Sequence, residues 1–307
     1  MKLLNASLMC TGENGFTSEM RKIGTEGYWE LNPGTPNFNT ELIKLVDAYS
    51  PDLIYLQIQN PGIITEAAAS YIGSKCIVFN HSGDIRAHLD QWYYDIGRFI
   101  TCTLFTNNLD VSRLRDAGIE SRWMEIGVDP TRYKDWGKMH KSPKIIFSGN
   151  NYGPGYFPLS QYRIEAVNRL KKEFGDDFGV MGTGWPDAIG EFNGDQVRES
   201  QQYSSALIAL NISHFAVSRY SSDRLLRALA SKCMVISHSY PNIQYIPGEH
   251  LAIFDHLDEL VEKCHYYLDN KQERMKIADA GQKHALENYT FRHMAENIKN
   301  LYLNYSK

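Results

Sequence analysis

Residues 75–105 read KCIVFNHSGDIRAHLDQWYYDIGRFITCTLF. The runs KCIVFN and ITCTLF have apolar residues at both alternating positions, as parallel strands covered on both faces must have. Between these runs, the pattern predicts a helix near 87–97. A strand, a helix and a second strand in this order predict a parallel sheet with helices packed on its faces.

The same alternation extends on both sides of this stretch and then repeats. The first series adds predicted strands KLLNASLMC, DLIYLQI at 52–58 and SRWMEI, and predicted helices near 39–49, 63–73 and 108–117. The second series has predicted strands KIIFSG at 144–149, FGVMG at 178–182, ALIALNIS at 206–213 and CMVIS at 233–237, with helices near 160–173, 196–205 and 223–231. The chain is therefore predicted to be an α/β protein with two similar halves.

The segment GVDPTRYKDWGKMHKSP at 127–143 interrupts the alternation with prolines, glycines and mixed charge, which is typical of a linker. Three helices are predicted after the second series, near 256–269, 271–287 and 291–304, with N-caps at Asp255, Asn270 and Thr290. We therefore predict an N-terminal domain of residues 1–137, a C-terminal domain of residues 138–288 and a terminal helix of residues 289–307.

Composition limits the function classes. The formal net charge of −4 gives no overall attraction to nucleic acid or to an anionic membrane. The five cysteines are odd in number and form no CxxC motif, which indicates reduced thiols. The start, MKLLNASLMC, is interpreted as a first strand and not as a signal peptide, and no apolar stretch is long enough to span a membrane. We therefore predict a soluble, cytoplasmic protein.

Two loops of the first series carry candidate residues. After the first strand, CTGENG contains Gly12, Glu13 and Asn14 in a flexible turn that lacks the full GxGxxG pattern, so an ordinary turn is the alternative. After KCIVFN, the loop HSGDIR places His81, Asp84 and Arg86 at the carboxyl end of a strand. These three groups are suited to accepting a proton, orienting a sugar hydroxyl and holding a negative charge. The alternative is a turn in which Asp84 caps the next helix.

Two loops of the second series are rich in glycine. The loop that begins with Gly149 and Asn150 reads GNNYGPG, and its backbone N–H groups are predicted to hold phosphate. The loop GTGW contains Gly184 and Trp185, and Trp185 either stacks on a base or plugs the edge of the domain.

The sharpest local signal is RYSSDRLLRALASKCMVIS at 219–237. Ser221 or Ser222 is predicted to cap a helix whose first turn carries Asp223 and Arg224, with Arg227 one turn further along the same face. The positive end of the helix and two guanidiniums predict a diphosphate site. The alternative is that both arginines pair with acids at the surface.

Several catalytic motifs are absent from the sequence. It has no DxD, no HExxH, no zinc-like cysteine spacing and no GxSxG. We therefore predict no metal, no bound cofactor and no simple serine hydrolase.

The C-terminal half resembles the CgeB-like branch of the group-1 glycosyltransferases. The resemblance is carried by IIFSGNNY, FPLSQYRIEAVNRLKKEFG, MGTGW, YSSDRLLRALASKCMVISHSYPNIQYIPGEHLAIFDHLDELVEKCHYYLDN and KQERMKIADAGQKHALENYTFRHM, which cover most of residues 144–294. The N-terminal half contributes NHSGDIR, LFTNNLDVSRLRDAGI and EIGVDPTRYK. The resemblance implies the GT-B fold, in which two Rossmann-like domains with parallel sheets face each other and a C-terminal helix returns to the N-terminal domain.

The resemblance also implies roles for individual residues. The C-terminal domain is implied to bind the nucleotide sugar and the N-terminal domain the acceptor. The resemblance implies as donor-binding residues Gly149, Asn150, Gly184, Trp185, Ser222, Asp223 and Arg224, and it places His81 and Asp84 toward the transferred sugar. We predict as further donor-binding residues Gly12, Arg163, Tyr220, Ser221 and Arg227. The predicted acceptor-binding residues are Glu13, Asn14 and Arg86, and the predicted catalytic residues are Asp84, His81 and Arg224. Arg227 departs from the family pattern, which has a glutamate at this position, and an arginine cannot accept hydrogen bonds from sugar hydroxyls.

The predicted function is a metal-independent transfer of a sugar from a nucleoside diphosphate to an acceptor hydroxyl, with retention implied by the resemblance. If the enzyme inverts the anomeric configuration of the sugar, Asp84 or His81 is the general base. The sequence does not identify the acceptor, which is a saccharide, a small molecule, a protein or a modified pyrimidine in DNA. The DNA alternative is favoured only by a group of basic residues: Lys138, His140, Lys141 and Lys144. Two further functions stay open on the same architecture: a nucleotide-sugar epimerase or hydrolase, and a non-catalytic nucleotide-sugar-binding module.

Overall fold

The computed structural model describes residues 1–8, 15–138, 142–191 and 194–307. The chain forms two compact units. The N-terminal unit contains residues 1–127 and 291–307, and the C-terminal unit contains residues 128–290.

The N-terminal unit has a sheet of six parallel strands in the order β2-β1-β3-β4-β5-β6. The strands are β1 (Lys2–Ser7), β2 (Gly27–Glu30), β3 (Leu53–Gln57), β4 (Ile77–Ser82), β5 (Cys102–Phe105) and β6 (Ser121–Trp123). The helices of this unit are α1 (Gly15–Ile23), α2 (Phe38–Tyr49), α3 (Glu66–Gly73), α4 (Gln91–Gly97), α5 (Asn108–Asp116) and α11 (Phe291–Tyr305).

Successive strand residues point to opposite faces of this sheet, and helices cover both faces. Leu4 and Ile54 pack on one face with residues of α2 and α3. Leu3 and Leu53 pack on the other face with residues of α1 and α11. The terminal helix α11 thus completes the N-terminal core, and its Met294 lies in the same cluster as Phe16 of α1.

The C-terminal unit has a second sheet of six parallel strands in the order β12-β11-β10-β7-β8-β9. The strands are β7 (Ile145–Ser148), β8 (Phe178–Met181), β9 (Ala188–Gly190), β10 (Ile208–Asn211), β11 (Met234–His238) and β12 (Ala252–Phe254). The helices of this unit are α6 (Ser160–Phe174), α7 (Gln196–Ser205), α8 (Asp223–Ala230), α9 (Leu257–Asp269) and α10 (Lys271–Asn288). Residues of α6 and α9 pack on one face of this sheet, and residues of α8 and α10 pack on the other.

The observed boundary between the units lies ten residues before the predicted one, at 127/128 instead of 137/138. The segment predicted as a linker packs on α7, because the Tyr133 hydroxyl donates to Glu199 Oε2 at 2.7 Å and the backbone N–H of Lys134 donates to Ser200 Oγ at 3.2 Å. The last helix begins at Phe291, two residues after the predicted start of the terminal segment at residue 289.

Three of the predicted N-caps differ in the structure. Asn270 precedes α10 as predicted, but its side chain makes no capping hydrogen bond. The residue before α9 is His256, not Asp255, and His256 Nδ1 accepts the backbone N–H of Glu259 at 3.2 Å. Ser222 precedes α8 as predicted, but its side chain makes no capping hydrogen bond and donates to Asn211 Oδ1 at 3.3 Å instead.

Candidate functional site

The candidate site lies at the carboxyl edge of the C-terminal sheet. In an open parallel sheet, the loops that follow the strands meet at this edge and bind ligands there. Three such loops are relevant here: the one after β7, which begins at Gly149, the one after β8, which begins at Gly182, and the one after β10, which precedes α8.

Gly149 is the point where these loops meet. Its N–H donates to the Met181 carbonyl at 2.8 Å, and its carbonyl accepts the indole N–H of Trp185 at 2.6 Å. A methyl group added at Gly149 would lie 2.5 Å from Nη2 of Arg163 and 3.5 Å from Nε of Arg224. Both guanidiniums therefore lie beside Gly149, and a side chain at this position would have to displace the guanidinium of Arg163.

Arg163 is a buried cation in the first turn of α6, with 2% of its surface exposed. Its guanidinium lies 5.2 Å from the ring centroid of Phe147, Nη1 bonds the imidazole of His214, and Nη2 donates to the Asn150 carbonyl at 3.3 Å. Nε is buried without a hydrogen-bond partner among the described residues. Burial and the neighbouring charge of Arg224 lower the pKa of Arg163 to about 9.

Arg224 is the second cation, and it lies in the first turn of α8. In the part of the chain that the structure describes, its guanidinium forms no ion pair with a carboxylate. The neighbouring Asp223 carboxylate instead pairs with Arg227 at 2.6 Å. Although burial opposes the effect, Arg227 and Arg224 hold the pKa of Asp223 below its usual range.

Arg227 has a different environment from Arg224. Its Nη1 lies 3.2 Å from Oε2 of Glu199, which is buried and also accepts the Tyr133 hydroxyl, and its Nη2 pairs with Asp223. Burial is outweighed by these two carboxylates, which raise the pKa of Arg227. Arg227 is therefore paired with acidic residues, which was the alternative to a phosphate site. Its partner Glu199 lies on α7, and the helical spacing of the sequence does not reveal it.

Asn150 and Asn151 join two of the loops. Asn150 Oδ1 accepts the Thr183 N–H at 3.0 Å, and Asn151 Nδ2 donates to the Gly184 carbonyl at 3.2 Å. Gly184 has a positive φ of 79° and approaches the Asn151 backbone so closely that an added methyl would lie 2.3 Å from its carbonyl oxygen. The backbone N–H groups of Gly149, Asn151 and Gly153 donate to Met181, Thr183 and Asn151, respectively. These three N–H groups are therefore not free to make the predicted phosphate contacts.

The aromatic and serine residues of the predicted donor site are buried or half-buried and contact other residues of the C-terminal unit. Trp185 is half-buried, its ring centroid lies 6.0 Å from that of Phe147, and its N–H donates to the Gly149 carbonyl. Stacking of Trp185 on a base stays a prediction. Ser221 and Ser222 are buried, and the backbone N–H of Ser222 donates to Ser213 Oγ at 3.0 Å. Tyr220 is half-buried and packs edge-on against Phe215.

His214 and Glu199 are site residues that the sequence reasoning missed. His214 follows β10, and its ring lies between the guanidinium of Arg163 and the ring of Phe157, whose centroid is 4.2 Å away. Burial, Arg163 and Arg224 lower the pKa of His214 to about 3, so it is neutral in the ligand-free protein. A histidine directly after a strand of this series is the signal that could have identified it.

The carboxyl edge of the N-terminal sheet holds the other predicted residues. His81 has no exposed surface, and its Nδ1 lies 3.0 Å from the Tyr55 hydroxyl. Burial lowers the pKa of His81 to about 4. These properties are those of a neutral histidine inside the sheet, and the catalytic role of His81 stays a prediction.

Asp84 and Arg86 lie in the loop after β4. Asp84 is exposed, its backbone N–H donates to Gln59 Oε1 at 3.1 Å, and it does not begin a helix, because α4 starts at Gln91. The Arg86 guanidinium donates to the Tyr93 hydroxyl at 3.0 Å and to the Gln59 carbonyl, and it pairs with Asp90 at 3.5 Å. Arg86 therefore holds the loop and is not available to a ligand without a rearrangement.

Some of the predicted residues lie outside the described residues: Gly12, Glu13 and Asn14 of the first loop, and His140 and Lys141 of the basic group. Within the described ranges, no cluster of histidine, cysteine and acidic side chains is suited to hold a metal ion. No helix in those ranges has the length and apolar character that crossing a membrane requires.

Known proteins share this architecture. A protein-family model described as glycosyl transferase-like matches residues 163–300, which begin at Arg163 and include Arg224. A glycosyltransferase from Rickettsia africae superimposes with a TM-score of 0.69 at 11% identity, covering 100% of this chain and 99% of the other. The Anabaena protein HepE in complex with UDP has a TM-score of 0.61 at 11% identity, covering 98% and 99%.

The chain has the GT-B fold of glycosyltransferases. A sucrose-phosphate synthase from Thermosynechococcus elongatus has the same fold, with a TM-score of 0.62 at 11% identity over 99% of both chains. No curated protein matches this GT-B chain in sequence. The family match and the fold support a transferase enzyme, and the predicted α/β GT-B class is confirmed. The CgeB-like branch stays a prediction.

Proposed function

We propose that this GT-B protein transfers a sugar from a nucleoside diphosphate, and that the diphosphate binds at Gly149 between Arg163 and Arg224. One observation carries the proposal: two guanidiniums face the same glycine at the ligand-binding edge of the sheet, and neither forms an ion pair with a carboxylate among the described residues. Arg224 also lies in the first turn of a helix, where backbone N–H groups and the helix dipole favour an anion.

The energetics support an anionic ligand. Placing two cations side by side, one of them buried, costs free energy unless a counter-charge is present. The pKa of Arg163, lowered to about 9, reports this cost in the ligand-free protein. A diphosphate supplies the missing negative charge, and charge-assisted hydrogen bonds from guanidinium to phosphate are among the strong ones.

The solved structures favour a nucleotide sugar as the source of that diphosphate. HepE has been solved with UDP and with UDP-glucose. At 11–12% identity this likeness establishes the fold alone, so a uridine nucleotide is for this chain part of the proposal.

The proposed chemistry follows from the charges. During transfer, the bond between the sugar and the diphosphate breaks, and negative charge develops on the departing nucleoside diphosphate. Arg224 is proposed to stabilise that charge without a metal ion, as fixed donors do in a site that excludes water. We also propose that the anomeric configuration is retained and that the exposed Asp84 orients the acceptor hydroxyl. His81 has no direct part in this proposal, because it is fully buried.

The experiment measures release of nucleoside diphosphate from a panel of nucleotide sugars, with chelator present. The wild type is compared with Arg224→Ala and with Arg169→Ala, which removes an equal charge from an exposed ion pair with Asp258 in the same unit. We expect one donor to be consumed by the wild type and by Arg169→Ala but not by Arg224→Ala. Equal turnover in a folded Arg224→Ala would refute the assignment, and turnover that requires added metal would refute the metal-independent part.

A further inference from the structure

We propose that His214 takes up a proton when the diphosphate binds and becomes a third cation of the site. The inference rests on the proposed function, because it concerns the same anion site. It adds a residue whose charge depends on occupancy, and it predicts that anion binding strengthens as the pH falls.

The position of His214 carries the inference. Its imidazole bonds Nη1 of Arg163, the buried guanidinium that faces Gly149. On the other side, the ring packs against Phe157, at 4.2 Å between centroids, and Tyr152, at 5.5 Å. Its backbone carbonyl accepts the Leu159 N–H at 3.1 Å, so the loop that carries it is fixed to the start of α6.

The charged groups around the ring are all cationic. Arg163 reaches it from α6, and Arg224 acts on it from α8, while the loop after β7 contributes the neutral rings of Tyr152 and Phe157. Within the described part of the chain, no carboxylate perturbs the titration of His214. A second proton on the imidazole would therefore place a third cation beside two unneutralised ones.

Binding of a diphosphate reverses this balance. Burial, Arg163 and Arg224 lower the pKa of His214 to about 3 in the ligand-free protein. When Nη1 of Arg163 turns to a phosphate oxygen, the ring nitrogen of His214 that accepts it becomes free to take a proton. Two phosphate charges at Gly149 neutralise the guanidiniums and then favour the imidazolium. The proton comes from solvent when the anion binds and returns to solvent when the nucleoside diphosphate leaves, so that no other group changes its charge.

The sign of the pH dependence follows from linkage. Between the pKa of free His214, about 3, and its higher value in the complex, the complex holds more protons than the free protein. Anion affinity therefore rises as the pH falls through that window, by up to about tenfold per pH unit for one proton.

The experiment follows the imidazole resonances of His214 by NMR from pH 4.5 to 7.5, with and without sulfate and with chloride at matched ionic strength. Sulfate stays a dianion over this range, and Arg163, with a pKa of about 9, stays charged. We expect His214 to remain neutral throughout this range in chloride and to show a titration midpoint inside the range in sulfate, about 1.5 units or more above its pKa of about 3. His214→Gln assigns its resonances.

His238 is the internal control. It is half-buried in the same unit and its pKa is also lowered by burial, but it packs on Tyr162 and Phe254 and not on the two arginines. Its titration should not move with sulfate. A shift at both histidines would show a general salt effect and would overturn the inference.

A second readout separates this inference from the proposed function. Sulfate and UDP-glucose affinities are measured across the same pH range in the wild type and in His214→Gln, and the variant should lose the slope. Binding that depends on Arg224 with no change at His214 overturns the inference and leaves the proposed function standing. If no anion, nucleotide or nucleotide sugar binds, both are wrong.

Discussion

The two sheets of this molecule each have six parallel strands, but the charges at their carboxyl edges are balanced differently. At the C-terminal edge, Arg163 and Arg224 face Gly149 without an acidic partner among the described residues. At the N-terminal edge, Arg86 pairs with Asp90 and Arg113 pairs with Asp110. The difference supports the proposal that the C-terminal edge binds an anion, while the arginines of the described N-terminal edge are already paired with carboxylates.

The same contrast occurs within one helix. Arg224 and Arg227 lie three residues apart in α8, yet Arg227 is held by Asp223 and the buried Glu199, and Arg224 is not. Sequence spacing treats the two arginines as equivalent members of one phosphate site. The structure separates a residue available to a ligand from a residue that stabilises the unit.

The largest effect is expected for Arg224→Ala. Loss of a donor to developing phosphate charge should lower turnover by roughly a factor of 1,000, or about 4 kcal/mol, with the melting temperature unchanged or raised. Steady-state kinetics and thermal denaturation, with Arg169→Ala as the charge-matched control, test this. A lowered melting temperature with normal turnover in the folded fraction would assign Arg224 a structural role.

The converse is expected for Arg227→Met. Removal of the guanidinium leaves the buried Glu199 carboxylate, among the described side chains, with the Tyr133 hydroxyl and the more distant Ser148 hydroxyl as partners. The free energy of unfolding should therefore fall by about 3 kcal/mol. Urea denaturation measures this. The double variant Arg227→Met with Glu199→Gln should recover part of the loss, because no unpaired buried charge remains. An equal or larger loss in the double variant would contradict the network.

The sequence predicted the strand and helix alternation well, because parallel strands buried on both faces leave continuous apolar runs. It missed β2, β9 and β12, which are edge strands of only three or four residues, and α1. His81 was expected in a loop because the predicted strand ended at Asn80. The strand β4 continues to Ser82, which places His81 inside the sheet against Tyr55.

The pairing of Arg227 with Glu199 joins residues on two helices, and no local spacing encodes it. The environment of His214 is equally a tertiary feature, since its cations come from α6 and α8. The sequence therefore predicted several residues that the structure places at the proposed binding edge, but not which of their charges are neutralised.

The buried, neutral His81 in the N-terminal sheet predicts that the stability of the protein depends on pH. The pKa of His81 is about 4 in the folded protein and 6.5 in the reference state, so the unfolded chain binds the proton more tightly between these values. The contribution of neutral His81 to the free energy of unfolding is fully present above pH 6.5 and is lost as the pH falls. At pH 5 the loss is about 2 kcal/mol. Urea denaturation of the wild type and His81→Gln at both pH values tests this. The variant should lose part of the slope, and an unchanged slope would contradict the assignment.

The smallest effect is expected for Gly149→Ala. The added methyl would lie 2.5 Å from Nη2 of Arg163, so the guanidinium must shift and donor affinity should fall by about tenfold. The control is Gly155→Ala in the same loop, where an added methyl meets no atom within contact distance. Equal donor affinity in both variants, measured by calorimetry, would contradict the convergence of the two arginines on Gly149.

A crystal structure of the protein with UDP, grown with chelator present, would locate the diphosphate directly. We predict diphosphate oxygens within hydrogen-bonding distance of the Arg163 and Arg224 guanidiniums beside Gly149, with Arg227 still paired to Glu199. An ordered nucleotide elsewhere on the molecule, or an empty edge at saturating UDP, would contradict the assignment of this edge as the donor site.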